Sequence, residues 1–183
     1  IPTTIFTLGA SLKTGTSPYE INYDDELSTG AGYYGISAGV SLSKVVDPLV
    51  AFGNLSVNYG FPESGLSQII YQNETNPSER IYLTEVKPGT NIGLAFGFGY
   101  ALSYQASMNL SAQFAYSFGS KYTNKGSGSA STESETGSSV SSSLNIGTGW
   151  RITPARSIYA SVGMGLTNND PDVSLNLKFP FEF

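Results

Sequence analysis

Two residue types that commonly carry out covalent chemistry are missing from this chain of 183 residues. It contains no Cys, which excludes disulfide scaffolds, thiolate metal sites and cysteine nucleophiles. It also contains no His, which is the usual general base and the commonest metal ligand. We therefore expect no enzyme activity, no cofactor and no bound metal.

The remaining motifs with chemical potential are weak. Asp24, Asp25 and Glu26 could attract a divalent cation, but they lack the spaced ligands of a calcium-binding loop, so we interpret them as a solvated acidic loop. Gly97 and Gly99 flank one residue inside an extended segment with no helix after it, which excludes a dinucleotide-binding motif. The formal net charge of −5 argues against a nucleic-acid partner, which would require a basic surface.

Strict alternation of large apolar residues with small or polar ones is the dominant pattern of the chain. In 92–102, Ile, Leu, Phe, Phe, Tyr and Leu alternate with Gly and Ala. A period of two residues predicts β-strands, and no helical period competes with it. Eight segments follow this pattern, at 4–13, 33–45, 50–61, 90–103, 107–121, 139–152, 157–167 and 172–183.

Short and long connections alternate between these segments, which predicts an antiparallel up-and-down sheet with two different ends. The long links, predicted as loops, are 14–32, 62–89 and 122–138, and a compact turn lies at 168–171. Of the 14 acidic residues, all except Asp47 and Glu182 fall in the long links or near this last turn. The Gly/Ser-rich run at 126–132 is interpreted as a flexible surface loop.

The strand interiors contain almost no charge, unlike the water-facing strands of soluble proteins. Most segments also reach the roughly 9 to 11 residues that span a bilayer when tilted. The sequence therefore predicts an all-β fold, a single antiparallel up-and-down transmembrane β-barrel domain over 1–183 with eight strands, in preference to a soluble barrel with the apolar residues inside. Aromatic residues expected at the membrane interface are Tyr59, Tyr100, Trp150, Phe179 and Phe181.

Residues on the opposite parity are predicted to face the lumen, where Gly and Ser predominate. The lumen-lining candidates with larger or charged side chains are Lys13, Asn54, Gln113, Lys121, Asn145, Arg151, Tyr159, Asn176 and Lys178. Because the charged members are basic, with Glu182 the opposing acid, they favour anions or neutral solutes. Alternatively, they pair with carboxylates and stiffen the wall.

The C-terminal segment 174–183 resembles the last strand of Gram-negative outer-membrane proteins. Phe179, Phe181 and Phe183 alternate up to the final residue, as in the signal that the barrel-insertion machinery recognises in those proteins. The resemblance implies a location in the bacterial outer membrane, with its lipids and lipopolysaccharide as partners.

Residues 163–172 and 88–90 are similar to the meta-pathway phenol degradation-like outer-membrane family. This resemblance implies a channel for small, often aromatic compounds. Barrels of that family have about a dozen strands, so the chain would be the C-terminal part of a larger barrel or a shortened relative.

The expected function is passive transport of a small-molecule solute through the outer membrane. Two alternatives stay open: a structural or interaction barrel with a closed lumen, whose extracellular loops serve adhesion or assembly, and a polypeptide secretion channel. The long 62–89 link would be the working part of the interaction barrel. Self-association as a homo-oligomer, such as a trimer, also stays open.

Overall fold

The computed structural model describes residues 1–21, 27–72, 80–126, 130–153, 156–168 and 170–180. Within them the fold is all-β, and the strand pairings are antiparallel. No helix in these residues is long and apolar enough to cross a membrane. The strands are β1 (Thr3–Ser11), β2 (Gly35–Val46), β3 (Leu49–Gly60), β4 (Glu63–Gln72), β5 (Arg80–Lys87), β6 (Asn91–Ala101), β7 (Ala106–Ser117), β8 (Lys121–Gly126), β9 (Ser131–Glu135), β10 (Ser139–Thr153), β11 (Arg156–Gly165) and β12 (Val173–Lys178).

The larger of two sheets has eight strands in the order β1-β2-β3-β6-β7-β10-β11-β12. These strands correspond to the eight segments predicted from alternation, and their order confirms the antiparallel meander. One boundary was wrong: the predicted segment 107–121 divides between β7 and β8, which belong to different sheets. We call the end of this sheet that carries the β2–β3, β6–β7 and β10–β11 turns the short-turn end, and the opposite end the long-link end.

Cross-strand register gives this sheet two chemically different faces. Val57 lies opposite Ile92, which lies opposite Tyr116. One residue along, Ser56 lies opposite Gly93. Residues on the parity of Ile92 form what we call the apolar face, and residues on the parity of Gly93 form the small-residue face. A slip of one residue in any pair would exchange the two faces, so the side-chain pattern fixes the register.

β1 and β12 are the two edges of the large sheet. β1 pairs with β2 from Thr3 to Ser11, and β12 pairs with β11 from Val173 to Lys178. Within the described ranges, no strand pairing joins β1 to β12. The described pairings therefore do not close the large sheet into the predicted barrel. The edges run antiparallel to each other, and each presents unpaired backbone N–H and C=O groups.

Two of the long links are not loops, contrary to the prediction. Link 62–89 contains β4 and β5, and link 122–138 contains most of β8 and all of β9. These strands form a second sheet in the order β4-β5-β8-β9. Register shifts interrupt the β4–β5 and β5–β8 pairings, and such bulges break the alternation that reveals a strand in sequence. In the predicted Gly/Ser loop, Ser131 and Thr132 begin β9, whereas 127–129 lie outside the described residues.

Two glycines, Gly89 and Gly119, lie where the chain crosses from one sheet to the other. Gly89 precedes β6, and Gly119 separates β7 from β8. A Cβ on Gly89 would lie 2.8 Å from the carbonyl carbon of Phe118, so the two backbones approach too closely for a side chain. Beside this contact, the Phe118 N–H donates to the Thr90 carbonyl at 2.9 Å. The hairpin arms therefore stay hydrogen-bonded where one sheet ends and the next begins.

The second sheet has a small apolar core of its own. It consists of the buried Leu66, Leu83 and Val86, with Tyr19 and Tyr122 packed against them. The first long link is attached to this sheet by the buried Gln68 side chain. Its Nε2 donates to the carbonyl oxygens of Pro18 at 3.0 Å and Ile21 at 3.3 Å. Residues 12–21 therefore belong structurally to the second sheet.

Candidate functional site

The apolar face of the large sheet is uncovered. On β6, Leu94, Phe96 and Phe98 are 44%, 49% and 37% exposed, although they lie in the middle of the sheet. None of the apolar-face residues of the eight strands belongs to the buried apolar core of the described residues. A continuous exposed apolar surface on this scale is typical of a face that contacts lipid or another apolar partner.

Aromatic residues occupy both ends of the apolar face. At the long-link end, Tyr59 packs edge-on against Phe61 with ring centroids 5.3 Å apart, and Tyr116 packs similarly against Phe118 at 4.7 Å. At the short-turn end lie the predicted interface residues Tyr100, Trp150 and Phe179, all exposed. Phe181 and Phe183 lie outside the described residues. Rings with one polar atom favour the boundary between lipid and water.

The distance between these two aromatic rows matches a bilayer. On β10, Val140 lies opposite Tyr116, and Trp150 lies opposite Ala106 next to the β6–β7 turn. The strand between them covers ten residue steps, or about 33 Å at about 3.3 Å per residue. For a strand tilted by about 40°, this length gives a height of about 25 Å, which is that of the lipid-facing band of outer-membrane barrels.

The small-residue face carries glycine, serine, alanine and short amides. Asn54 Nδ2 donates to Ser41 Oγ on the neighbouring strand at 2.8 Å. A shallow trough of about 230 Å³ runs over Gly93 and Ala95 at the centre of this face. At its centre the surface is polar without being charged, and it leaves space above the backbone for water or a small solute.

Seven of the nine predicted lumen-lining residues share the small-residue face. Their cross-strand partners place them there on five strands: Asn54, Gln113, Asn145, Arg151, Tyr159, Asn176 and Lys178. Lys13 and Lys121 are placed elsewhere. Lys13 follows β1 and contacts the second sheet, and Lys121 begins β8 within that sheet.

Both of these lysines are paired with carboxylates, which agrees with the alternative interpretation that they stiffen the structure. Lys13 Nζ lies 2.9 Å from Glu63 Oε1, and Lys121 Nζ lies 3.0 Å from Glu133 Oε1. Hydrogen bonding to Glu63 raises the pKa of Lys13. Hydrogen bonding between Lys121 and Glu133 raises the pKa of Lys121 and lowers the pKa of Glu133. These pairs link the strands of the second sheet and attach the first long link to it.

Two aromatic rings lie on the small-residue face, each over a glycine. Phe52 is directly opposite Gly97, and a Cβ on that glycine would lie 2.7 Å from Phe52 Cζ. Tyr159 is directly opposite Gly149, whose Cβ would lie 2.9 Å from Tyr159 Cε1. The glycines therefore let the rings lie flat along the sheet, and nothing in the sequence pattern alone identified these two contacts.

A cavity of about 220 Å³ lies beside Tyr159 at the short-turn end. The lining residues with polar side chains are Ser103, Tyr104, Gln105, Ser107, Trp150, Arg151, Ser157 and Tyr159. The backbone N–H of Arg151 donates a hydrogen bond to the backbone carbonyl of Gln105 at 2.7 Å, and this bond holds the β6–β7 turn against β10. The cavity thus brings together one cation, the phenols of Tyr104 and Tyr159, three serine hydroxyls and one side-chain amide.

Asp170 holds the compact turn before β12 against β10. Its carboxylate accepts hydrogen bonds from Ser141 Oγ, from the Ser142 N–H at 2.7 Å and from Thr167 Oγ1 at 2.5 Å. These donors stabilise the charged form, with Ser141 contributing most, and lower the pKa of Asp170. The sequence indicated a turn here, but not the role of Asp170 in attaching it.

In the part of the chain that the structure describes, no group of three or more acidic, His or Cys residues could hold a metal ion. Asp24, Asp25 and Glu26 lie outside the described residues. No protein-family model matches the chain. The large sheet thus presents an exposed apolar surface on one side and a weakly polar surface of small residues on the other.

Proposed function

We propose that this chain forms a β-barrel wall in the bacterial outer membrane, and that the barrel is a channel through which small solutes diffuse passively. The observation that supports this proposal is the division of the large sheet into an exposed apolar face and a small-residue face. Lipid would cover the apolar face, and water and solute would occupy the space beside the small-residue face.

The apolar face would be costly to expose to water. At about 25 cal/mol per Å², each 400 Å² of apolar surface corresponds to about 10 kcal/mol, which is comparable to the whole stability of a typical domain. No described element covers Leu94, Phe96 or Phe98. A bilayer removes this cost without a protein partner.

A membrane location also requires the edges β1 and β12 to be paired, because lipid offers no hydrogen bonds to a free strand edge. Their antiparallel directions suit pairing with each other or with further antiparallel strands. Small side chains on the inner surface favour the second arrangement. An eight-stranded barrel is normally filled by its side chains, whereas Gly93, Gly97 and Gly147 fill little of a lumen.

The similarity of segment 174–183 to the terminal strand of outer-membrane proteins supports the same proposal. Barrel-insertion machinery would recognise this strand, and outer-membrane lipids and lipopolysaccharide would surround the barrel. The similarity of 163–172 to the phenol degradation-like channels favours small, often aromatic solutes.

The second sheet favours one alternative, a closed barrel that binds a partner outside the membrane. This sheet has its own core, and its β4–β5 hairpin exposes Ile70 and Tyr71 at 45% and 55%. Exposed apolar residues near a hairpin end suit protein contact. In this alternative the barrel anchors the second sheet and conducts nothing.

Single-channel recording in planar bilayers distinguishes the two functions. The purified, folded protein is expected to give discrete ion-conducting openings if it is a channel. A folded protein that inserts into vesicles and stays silent would contradict the channel and support the binding barrel.

Single cysteine substitutions at two adjacent positions provide a matched control, because the chain itself contains no Cys. Ser143 lies on the small-residue face and Leu144 on the apolar face. A bulky thiol reagent should reduce the conductance of Ser143→Cys and leave that of Leu144→Cys unchanged. Equal block of both variants would contradict the assignment of the small-residue face to the lumen.

A further inference from the structure

Two charged side chains lie on the small-residue face within the described parts of the eight strands, and both are positive. They are Arg151 on β10 and Lys178 on β12. Both lie at the short-turn end, on either side of Tyr159. The other described residues of this face are uncharged, and Glu182, which shares the parity of Lys178, lies outside the described residues.

Neither side chain is neutralised by a neighbour that the structure describes. No carboxylate lies within ion-pair distance of Arg151 or Lys178 among the described residues, in contrast to Lys13 and Lys121. From a strand spacing of about 4.8 Å and a rise of about 3.3 Å per residue, their Cα atoms are about 12 Å apart.

Hydrogen-bond donors suited to an anion surround Arg151, and two of them, Ser157 and Tyr159 on β11, lie between β10 and β12. The cavity at this end contains the hydroxyl groups of Ser103, Ser107, Ser157 and Tyr159 and the amide of Gln105, together with Arg151. Hydroxyls and a guanidinium in one cavity can solvate a carboxylate or a halide that has lost part of its water.

We propose that Arg151 and Lys178, with Tyr159 between them, form an anion-selective constriction at the short-turn end, which admits small monovalent anions such as carboxylates. The inference rests on the proposed channel and specifies its solute class. The described acidic residues act against it only weakly. All of them except Asp47 lie at the opposite end or in the second sheet, about 25 Å away, whereas electrostatic interactions in 0.1 M salt are screened over about 10 Å.

Reversal potentials in a KCl gradient test this selectivity. The unaltered channel is expected to prefer chloride over potassium. A unit charge about 7 Å from a monovalent ion in water changes the local ion concentration by about threefold. Because removing a cation lowers the local chloride concentration and raises the local potassium concentration by the same factor, Arg151→Gln and Lys178→Gln should each lower the chloride-to-potassium permeability ratio by about ninefold, and the double variant by about eightyfold.

Lys44 provides the control, because it lies at the same end of the sheet but on the apolar face. Lys44→Gln should leave the permeability ratio unchanged. A cation-selective channel, or equal effects of the Lys44 and Lys178 variants, would overturn the constriction while leaving the channel itself intact.

A second measurement does not depend on conduction. In the Cys-free chain, Ser157→Cys places a thiol directly opposite Arg151, and Ser139→Cys places one on the same face at the long-link end. An anionic methanethiosulfonate should modify the thiol at 157 faster, relative to its cationic counterpart, than the thiol at 139. Arg151→Gln should reduce that ratio about ninefold, because it slows the anionic reagent and speeds the cationic reagent by about threefold each. Equal ratios at both positions would refute the proposal even if the protein proved silent in bilayers.

Discussion

The ring of Tyr159 lies over Gly149, the residue directly opposite it on the neighbouring strand. A Cβ at Gly149 would be only 2.9 Å from Cε1 and 3.0 Å from Cδ1 of that ring. An aromatic side chain that covers a cross-strand glycine shields the exposed backbone and compensates for the missing side chain. Phe52 and Gly97 repeat the arrangement at another position on the same face.

Gly149→Ala is expected to destabilise the protein by about 1 to 3 kcal/mol, because the new methyl group would displace the Tyr159 ring. In a Tyr159→Ala background the same substitution should cost much less. Urea unfolding in lipid vesicles, arranged as a double-mutant cycle, measures the difference. The same cost for Gly149→Ala in both backgrounds would show that the ring does not require the glycine.

Phe96 and its neighbour Ala95 provide a test of which face meets lipid. Phe96→Lys would place a charge on the apolar face near the middle of β6 and should destabilise the folded protein in vesicles by about 2 to 4 kcal/mol. Ala95→Lys, on the small-residue face, should cost clearly less, because its ammonium group would remain in water. The free energy of folding into vesicles gives both values, and the reverse order would mean that the faces have been assigned to the wrong solvents.

The eight strands of the large sheet could be predicted because their alternation is uninterrupted. From Ile92 to Leu102, every second residue is large and apolar, so the residues of this segment alone are enough to predict a β-strand. The same alternation predicts that Arg151, Tyr159 and Lys178 share one face, and the cross-strand register places them on it.

The second sheet could not be predicted, because its strands lack that signal. Ile69, Ile70 and Tyr71 are consecutive, with a register shift between Ile69 and Tyr71, and β9 contains no apolar residue. The ion pairs of Lys13 and Lys121 with carboxylates depend on contacts within the second sheet. The alternation along a single segment therefore predicted the wrong position for both lysines. Closure of the large sheet depends likewise on contacts at β1 and β12 that no local pattern encodes.

Gln68→Leu is expected to release residues 12–21 from the second sheet without disturbing the large sheet. The substitution would leave the buried carbonyls of Pro18 and Ile21 without the Gln68 donor, at a cost of about 1 to 3 kcal/mol. Limited proteolysis should then cut the variant within 12–34 faster than the unaltered protein. Gln113→Leu, on the small-residue face, is the control and should leave that rate unchanged. Protection of 12–34 in both variants would exclude Gln68 as the attachment point.

Asp170 should make the stability of the compact turn dependent on acid pH. Its folded-state pKa is lowered from the ordinary value of 3.8 by hydrogen bonds from Ser141, Thr167 and Ser142, so the charged form stabilises the fold. This contribution is fully present above the unfolded-state pKa and is lost as the pH falls through the lowered folded-state pKa. The difference in unfolding free energy between the unaltered protein and Asp170→Asn should therefore be constant near neutral pH and shrink below about pH 4. Asp172→Asn is the control, because the Asp172 side chain makes no hydrogen bond or ion pair with the described residues. A difference for Asp170→Asn that did not change down to the most acidic pH would mean that its carboxylate does not hold the turn to β10.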